Sequence, residues 1–196
     1  MSEINASTPD VKRVLDFWFD RNPIDWVMSP AGLDDQIKTQ FGDLVAQARR
    51  NELDAWATAG PEPCLALVAL LDQFPRNLYR GTPEAYACDP KAFAITTRAI
   101  AHDFDKRVNV VQASSFYLTI LNKEEEIAAI ASRSLWTDLR PRCETEQEKK
   151  WVEMGISATQ RHLVQLEQFG RYPTRNKSMG RENTEAEEKY LADMRK

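Results

Sequence analysis

Two polar segments carry the residue types best suited to chemistry, and each follows directly on an apolar pattern. The first covers residues 71–81 and reads LDQFPRNLYRG, and the second covers residues 168–176 and reads QFGRYPTRN. Both contain Gln-Phe, an aromatic–proline pair and Arg-Asn. Guanidinium groups offer planar pairs of donors that suit carboxylates and phosphates, and Asp, Gln and Asn side chains can hold them in place. The two segments therefore predict a pocket for a small anionic or carbonyl-bearing molecule.

Eight residues are the candidates for this pocket. Asp72 follows the most apolar stretch of the chain, and His162 is one of only two histidines. Either could transfer a proton. The ligand-binding candidates supply guanidinium and amide groups, and they are Gln73, Arg76, Asn77, Arg171, Arg175 and Asn176. If the pocket is catalytic, Arg76 or Arg171 would stabilise developing negative charge in an isomerisation, cyclisation, elimination or hydrolysis.

A structural interpretation of the two catalytic candidates stays open. Asp72 could pair with an arginine and cap backbone groups between helices, because buried ion-pair networks commonly join the helices of a helical fold. His162 lies on the apolar face of its predicted helix, where a hydrogen-bonded core histidine is the more frequent case. In both interpretations the residues matter for folding rather than for a reaction.

The remaining residues disfavour a metal, a nucleotide and a redox cofactor. The chain has two histidines without an HExxH motif, and its three cysteines, Cys64, Cys88 and Cys143, are widely spaced without a CxxC pair. It contains no GxGxxG, GxxxxGKS/T or GxSxG motif. We therefore expect no metal ion and no cofactor at the pocket.

Helical periodicity covers most of the chain and positions these segments. Seven helices are predicted: the first begins at Pro9, and the others cover about 33–51, 61–74, 89–102, 123–139, 144–169 and 184–191. Residues 108–121 favour a strand by composition, but no hairpin turn flanks them, so their state is open. The prediction is an all-α, single-domain bundle over residues 1–196, with residues 1–8 flexible.

Composition limits the location and the partners of the protein. The 196 residues carry a net charge of −4, whereas a general nucleic-acid binder needs a basic excess. The longest apolar run, residues 64–71, is far shorter than the roughly 20 residues of a membrane span. No apolar stretch near the start resembles a signal-peptide core. These features predict a cytoplasmic protein without a nucleic-acid or membrane partner.

Three blocks of sequence resemble the signature blocks of the DUF924 family. They are residues 14–19 (VLDFWF), 70–77 (LLDQFPRN) and 169–176 (FGRYPTRN). Residues 85–89 and the closing Gly180-Arg181 with Thr184 also match in order and spacing. The resemblance covers nearly the whole chain and implies an all-helical, TPR-like fold. It implies little about activity, because the family is named for having no assigned function.

The chain departs from the pattern of that family at two places. Between the blocks the family usually has Pro-x-x-His-Ser-Glu, and the corresponding stretch here appears as Ile120, Lys123, Glu124 and Glu125. Thr174 also stands where the family commonly has a histidine. The resemblance therefore does not carry chemistry that needs those two histidines over to this chain, and a different ligand or reaction is open.

Three functional hypotheses remain from the sequence. The first is a small-molecule pocket protein, either an acid/base enzyme without a cofactor or a binding protein. The second is a TPR-like module that binds a peptide in an open groove, for which the acidic net charge suits a basic partner segment. The third is that the Asp, Arg and Asn residues of the blocks serve folding alone.

Overall fold

The computed structural model describes residues 4–194 of the chain, and within that range it contains helices, turns and loops but no strand. The α-helices are α1 (Pro9–Phe19), α2 (Ile24–Met28), α3 (Leu33–Arg49), α4 (Pro61–Val68), α5 (Phe74–Leu78), α6 (Asp89–Ala101), α7 (Val110–Leu121), α8 (Glu126–Asp138), α9 (Glu146–Phe169) and α10 (Glu185–Asp193). The prediction of an all-α fold is confirmed.

The centre of the fold is one continuous helical run over residues 61–78. A π-helical turn, Ala69–Gln73, joins α4 to α5 and adds a residue to the helical register. Residues 64–72 of this run are almost inaccessible to solvent. Helices α1 and α3 pack against the run from the N-terminal part of the chain, and α6 and α7 pack against it from the middle. A helix that is apolar all round belongs in the core, as the sequence pattern predicts.

The C-terminal half continues this packing in chain order. Helix α7 contacts α8, and both contact the long helix α9. Helix α9 ends at Phe169, and the next residue, Gly170, takes the left-handed conformation with a φ of 66°. A second, smaller apolar cluster brings Leu121 and Tyr172 together with residues of α8 and α9. This cluster fixes the start of the segment that leads from α9 to α10.

Two helices of the structure are absent from the sequence prediction. Helix α2 has only five residues, which is too short a stretch for a helical period to be recognised in the sequence. Helix α7 covers most of the stretch whose state the sequence left open. Its N-terminus is a capping box, in which Asn109 accepts from the Gln112 backbone at 2.9 Å and the Gln112 side chain accepts from the Asn109 backbone. With 61–78 counted as one run, residues 4–194 hold nine helices rather than about seven.

The predicted flexibility of residues 1–8 falls partly on residues 1–3, which lie outside the described residues. Asn5 and Thr8 exchange hydrogen bonds in a turn before α1. No helix in the described range is both long and apolar enough to span a bilayer.

Candidate functional site

Five side chains from distant parts of the chain form a closed ring of polar contacts. Asp72 Oδ1 lies 3.2 Å from Arg76 Nη1, and Arg76 Nη2 donates to Asp89 Oδ2 at 3.0 Å. Arg175 Nη1 lies 3.5 Å from the same Asp89 oxygen. Arg175 Nη2 donates to Asn122 Oδ1 at 2.9 Å, and Asn122 Nδ2 closes the ring by donating to Asp72 at 3.0 Å. We call this arrangement the polar ring; it alternates two acids with two guanidiniums and one amide.

Each member of the polar ring stands at a helix end or at a helical irregularity. Asp72 belongs to the π-helical turn, and Arg76 lies one turn later in α5. Asp89 is the first residue of α6, and Asn122 directly follows the last residue of α7. Arg175 belongs to a short 3-10 turn after α9. The packed helices thus carry these groups to one place, as the sequence predicts for Asp72, Arg76 and Arg175.

Asp72 is the anchor of the polar ring. The residue is 1% exposed, and its carboxylate accepts from Thr119 Oγ1 at 3.1 Å and from Asn122 Nδ2 at 3.0 and 3.1 Å. Arg76 also donates to the Asp72 main-chain carbonyl. A buried carboxylate with this many donors is held in one orientation. Asp72 therefore has the contacts expected of a residue that serves folding. Its carboxylate oxygens are engaged by protein groups, and neither is presented to a ligand.

A cleft of about 330 Å³ lies beside the polar ring. Asp89, Asn122 and Arg175 belong to both the ring and the cleft wall. The wall is completed by Tyr86, Pro90, Phe93, Thr119, Lys123, Glu124, Glu125 and Met179. Aromatic and apolar side chains with a few convergent charged groups are typical of small-molecule sites.

Asp89 is the member of the ring that is best placed to exchange a proton. Its side chain is 17% exposed, and Oδ2 receives both guanidiniums. Oδ1 is buried and has no hydrogen-bond partner among the described residues. Burial raises the pKa of Asp89 to about 6, against the charges of Arg76 and Arg175, and the negative charge of Asp72 adds to the rise. This carboxyl can therefore be charged or neutral near neutral pH.

The raised pKa of Asp89 predicts that the free energy of unfolding depends on pH in a way that an Asp89 variant would lose. Between pH 4 and 6 the folded chain keeps the Asp89 proton that the unfolded chain has lost, so Asp89 makes unfolding easier as the pH rises through this window. Asp89→Asn removes this effect. The free energy of unfolding of the variant, relative to the wild type, should therefore increase between pH 4 and 6.5 by up to about 3 kcal/mol. Denaturant titrations at four pH values measure it, and parallel curves for the two proteins would contradict the assignment.

Aromatic rings hold the two guanidiniums of the polar ring. The Tyr86 ring centre lies 5.0 Å from the Arg175 guanidinium carbon and 5.5 Å from that of Arg76. The Tyr172 ring centre lies 4.9 Å from Arg175. Such contacts stabilise a cation that is partly removed from water. Burial, together with the neighbouring charge of Arg76, lowers the pKa of Arg175.

A second ion pair fastens the segment that carries Arg175. Glu124 accepts two hydrogen bonds from Arg181, at 2.6 and 2.9 Å, and one from the Tyr172 backbone N–H at 3.0 Å. Arg181 also donates to the Tyr172 carbonyl at 3.1 Å. Burial opposes the charge of Glu124, but the hydrogen bonds of Arg181 and Tyr172 lower its pKa. Glu124 therefore holds the chain on both sides of Arg175, through Tyr172 before it and Arg181 after it.

The orientation of residues 122–125 bears on the departure from the family motif. Asn122 and Glu124 make the internal contacts, Lys123 lines the cleft, and Glu125 is exposed. Lys123, at the position where the resemblance has a histidine, therefore lines the cleft, whereas Glu125, which retains the glutamate of the motif, is exposed.

His162 is packed behind the segment that carries Arg175. Its Nδ1 lies 2.8 Å from the Ala158 carbonyl oxygen, and its ring meets the Tyr172 ring edge to face at 4.7 Å between centres. Burial lowers the pKa of His162, and the hydrogen bond to Ala158 opposes this. His162 is not part of the cleft wall. Its surroundings are those of a core histidine, the alternative kept open above.

Four of the ligand-binding candidates lie apart from the cleft and are engaged elsewhere. Gln73 accepts from Trp18 Nε1 and donates to Ser115, which ties α1 to α7. Asn77 donates to Asp34 at 2.8 Å, and Asn176 donates to Asn183 at 2.8 Å. Arg171 binds Glu187 through two hydrogen bonds of 2.7 and 2.8 Å, which lower the pKa of Glu187 to about 2. The structure does not bring these four side chains together.

Of the residues in the cleft wall, only Arg175 is among the eight sequence candidates; the polar residues Asp89, Asn122 and Lys123 are not. In the sequence, Asp89 is the first residue of a predicted helix and the last of the block 85–89, and Asn122 and Lys123 lie in the stretch that departs from the family pattern. The signal that could have found Asp89 is its position in the block 85–89. Within residues 4–194, no group of three or more His, Cys, Asp and Glu side chains is arranged to hold a metal ion.

Comparisons with known proteins give a family and a structural relative. A family model described as "Bacterial protein of unknown function (DUF924)" matches residues 14–194. A solved structure of a protein of unknown function from Agrobacterium tumefaciens is similar, with 32% sequence identity and a TM-score of 0.82; the match covers 96% of this chain and 99% of that one. No curated protein matches.

Proposed function

The chain belongs to the DUF924 family, and from the cleft that its fold builds we propose that it binds a small anionic or carbonyl-bearing molecule and transfers a proton to or from it. The observation that carries the proposal is Asp89. Its carboxyl lines a polar cleft and has its pKa raised to about 6 by burial. A general acid or base works best when its pKa lies near the working pH.

The charged groups around Asp89 support an acid/base reaction without a cofactor. Arg175 and Lys123 line the same cleft and can stabilise negative charge that develops on a ligand oxygen. Asp72 acts through Asn122, whose side-chain and main-chain oxygens each accept from Arg175 at 2.9 Å. Asp72 and Asn122 are thus positioning residues. The reaction classes that fit are isomerisation, cyclisation, elimination and hydrolysis.

A lysine substitution tests the anion-binding part of the proposal. Lys123→Met removes a cation whose ion-pair partner, Glu125, is exposed, so folding should be unaffected. We expect at least one member of a panel of acetoacetate, oxaloacetate, benzoate and citrate to stabilise the wild type in thermal-shift and calorimetric titrations. The variant should bind that compound about tenfold more weakly, since a charged hydrogen bond contributes about 1.5–3 kcal/mol.

Lys106→Met is the matched control for this substitution. Lys106 pairs with Asp103 at 2.7 Å and precedes the N-terminus of α7, whereas Lys123 follows its C-terminus. The control loses an equivalent surface ion pair at the other end of the same helix. If Lys123→Met bound that compound as tightly as the wild type does, the cleft would not be the site where the anion binds.

The alternative is a TPR-like module that binds a peptide without catalysis. Two large apolar side chains on α8, Ile127 and Ile130, are exposed to 68% and 42% and favour some contact with a partner. In this case small acids would not bind, and Asp89→Asn would leave peptide binding unchanged.

The acidic net charge supports a protein without a nucleic-acid partner. A cytoplasmic location without a membrane partner stays a prediction.

A further inference from the structure

We propose that the outer face of α8 joins two copies of this chain into a symmetric dimer. Four uncharged residues, spaced three and four apart, lie exposed along one side of this helix: Ile127, Ile130, Ala131 and Ser134. We call them the outer stripe. The inference goes beyond the function proposed above and does not depend on the cleft.

The first two turns of α8 direct small side chains inward and large apolar ones outward. Ala128, Ala129 and Ser132 are buried where α8 packs on α7 and α9, whereas Ile127 and Ile130 are exposed. A β-branched side chain lowers helix propensity and gains nothing from packing when it is left in water. Adjacent exposed isoleucines on one helix face therefore indicate a surface that a partner covers.

Two charges on one border of the outer stripe favour a second copy as that partner. Glu126 and Arg133 lie four residues before and three residues after Ile130, on the same side of the helix. Within residues 4–194 neither forms an ion pair, and the Arg133 side chain donates to the Gln160 amide oxygen at 2.7 Å. In an antiparallel pair of identical helices related by a two-fold axis, the same border of both helices meets. The Glu126 of each copy then lies opposite the Arg133 of the other.

The same two-fold axis also matches the apolar side chains. When Glu126 lies opposite Arg133, the axis passes beside Ile130, so that each Ile130 packs against its counterpart. Ile127 then lies over the end of the outer stripe that carries the small side chain of Ser134 in the other copy. Small side chains at the contact allow two helix axes to approach closely. One arrangement therefore satisfies both the apolar and the charged residues.

The size of the contact predicts a weak dimer. Helix α8 has 13 residues, which gives a length of about 20 Å. One pair of such helices buries less than the roughly 800 Å² per partner of a standard interface. Interfaces below that size are typical of transient complexes. We therefore expect a dissociation constant on the order of 10–100 μM and a concentration-dependent mixture of monomer and dimer.

Sedimentation velocity measures this association directly. Over about 2–300 μM, which spans the expected dissociation constant, the weight-average mass of the wild type should rise from that of the monomer towards that of the dimer. Ile130→Glu places two like charges at the axis and should weaken the association at least about tenfold. Val27→Glu is the matched control, because Val27 is also an exposed β-branched residue but lies on α2. The control should dimerise as the wild type does, and circular dichroism verifies that both variants are folded.

An exchange of charges tests the two-fold arrangement. Glu126→Arg alone and Arg133→Glu alone should each weaken the dimer, because each change brings like charges together twice. An equimolar mixture of these two variants should recover the association. One copy then contributes two positive charges and the other two negative charges, so both pairs are again of opposite sign.

Three outcomes would overturn the inference. A wild type that stays monomeric at the highest concentration would leave the outer stripe to a different protein, such as the peptide of the alternative above. A dimer that Ile130→Glu leaves intact would have its interface elsewhere. Failure of the mixture of Glu126→Arg and Arg133→Glu to associate, with both variants folded, would contradict the antiparallel pairing of the two helices.

Discussion

Replacing Gly155 with alanine is expected to destabilise the protein by about 3 kcal/mol, because the methyl group has no space. Gly155 lies in α9 where that helix crosses α8, and a Cβ built on it would come under 3.0 Å from three atoms of the Trp136 ring. Trp136 is completely buried and contacts the rings of Tyr117 and Trp151. The ring cannot move away without disturbing these neighbours. For a chain of this length the melting temperature should fall by roughly 6–12 °C.

Gly42→Ala is the matched control, since Gly42 is also inside a long helix. A Cβ at that position meets no atom within 4 Å. Alanine is the better helix former, so this variant should be more stable than the wild type by about 0.5–1 kcal/mol. Opposite signs for the two changes would show that close packing of α8 on α9, rather than helix propensity, determines the result at Gly155. A stable Gly155→Ala protein would mean that the two helices lie farther apart.

The helix ends that carry local signals could be predicted from the sequence. Helix α1 begins at Pro9 as expected, and α10 begins at Glu185, after the Thr184–Glu187 capping box and close to the expected start at about residue 184. Helix α7 could not be predicted, because nine of its twelve residues are buried and its apolar residues therefore show no single face. The β-branched residues of this stretch favour a strand, and tertiary packing overrides that preference.

The candidate site was predictable only in part. Guanidinium-rich segments at two helix ends indicate where Arg76 and Arg175 meet, because helix ends on packed neighbours can bring distant residues together. Asp89 could not be ranked above other acids, since its distinguishing property is a buried oxygen without a partner, which depends on the fold. The same holds for Arg171 and Asn77. Their residue types suit a pocket, but Glu187 and Asp34 lie close enough to bind them.

Replacing Asp72 with alanine is expected to cost about 3–5 kcal/mol of folding free energy, since it removes one partner of a buried ion pair. The change leaves the Asn122 amide without its acceptor on Asp72, removes one of the two acceptors of the Thr119 hydroxyl, and removes the charge opposite Arg76. Asp72→Asn keeps the shape but loses the charge, and should cost less. Denaturant unfolding of both variants measures these effects.

The two Asp72 variants also connect stability to the chemistry of the cleft. The negative charge of Asp72 contributes to the raised pKa of Asp89, so Asp72→Asn should lower that pKa, which a carboxyl NMR titration of Asp89 would detect. Asp16→Ala is the control, because it breaks the exposed Lys12–Asp16 pair and should cost less than about 1 kcal/mol. An Asp72→Ala protein no less stable than this control, with the Asp89 titration unchanged in Asp72→Asn, would show that the polar ring is not a coupled unit. A shifted titration in a folded variant would instead identify Asp72 as the group that sets the protonation of Asp89 without touching a ligand.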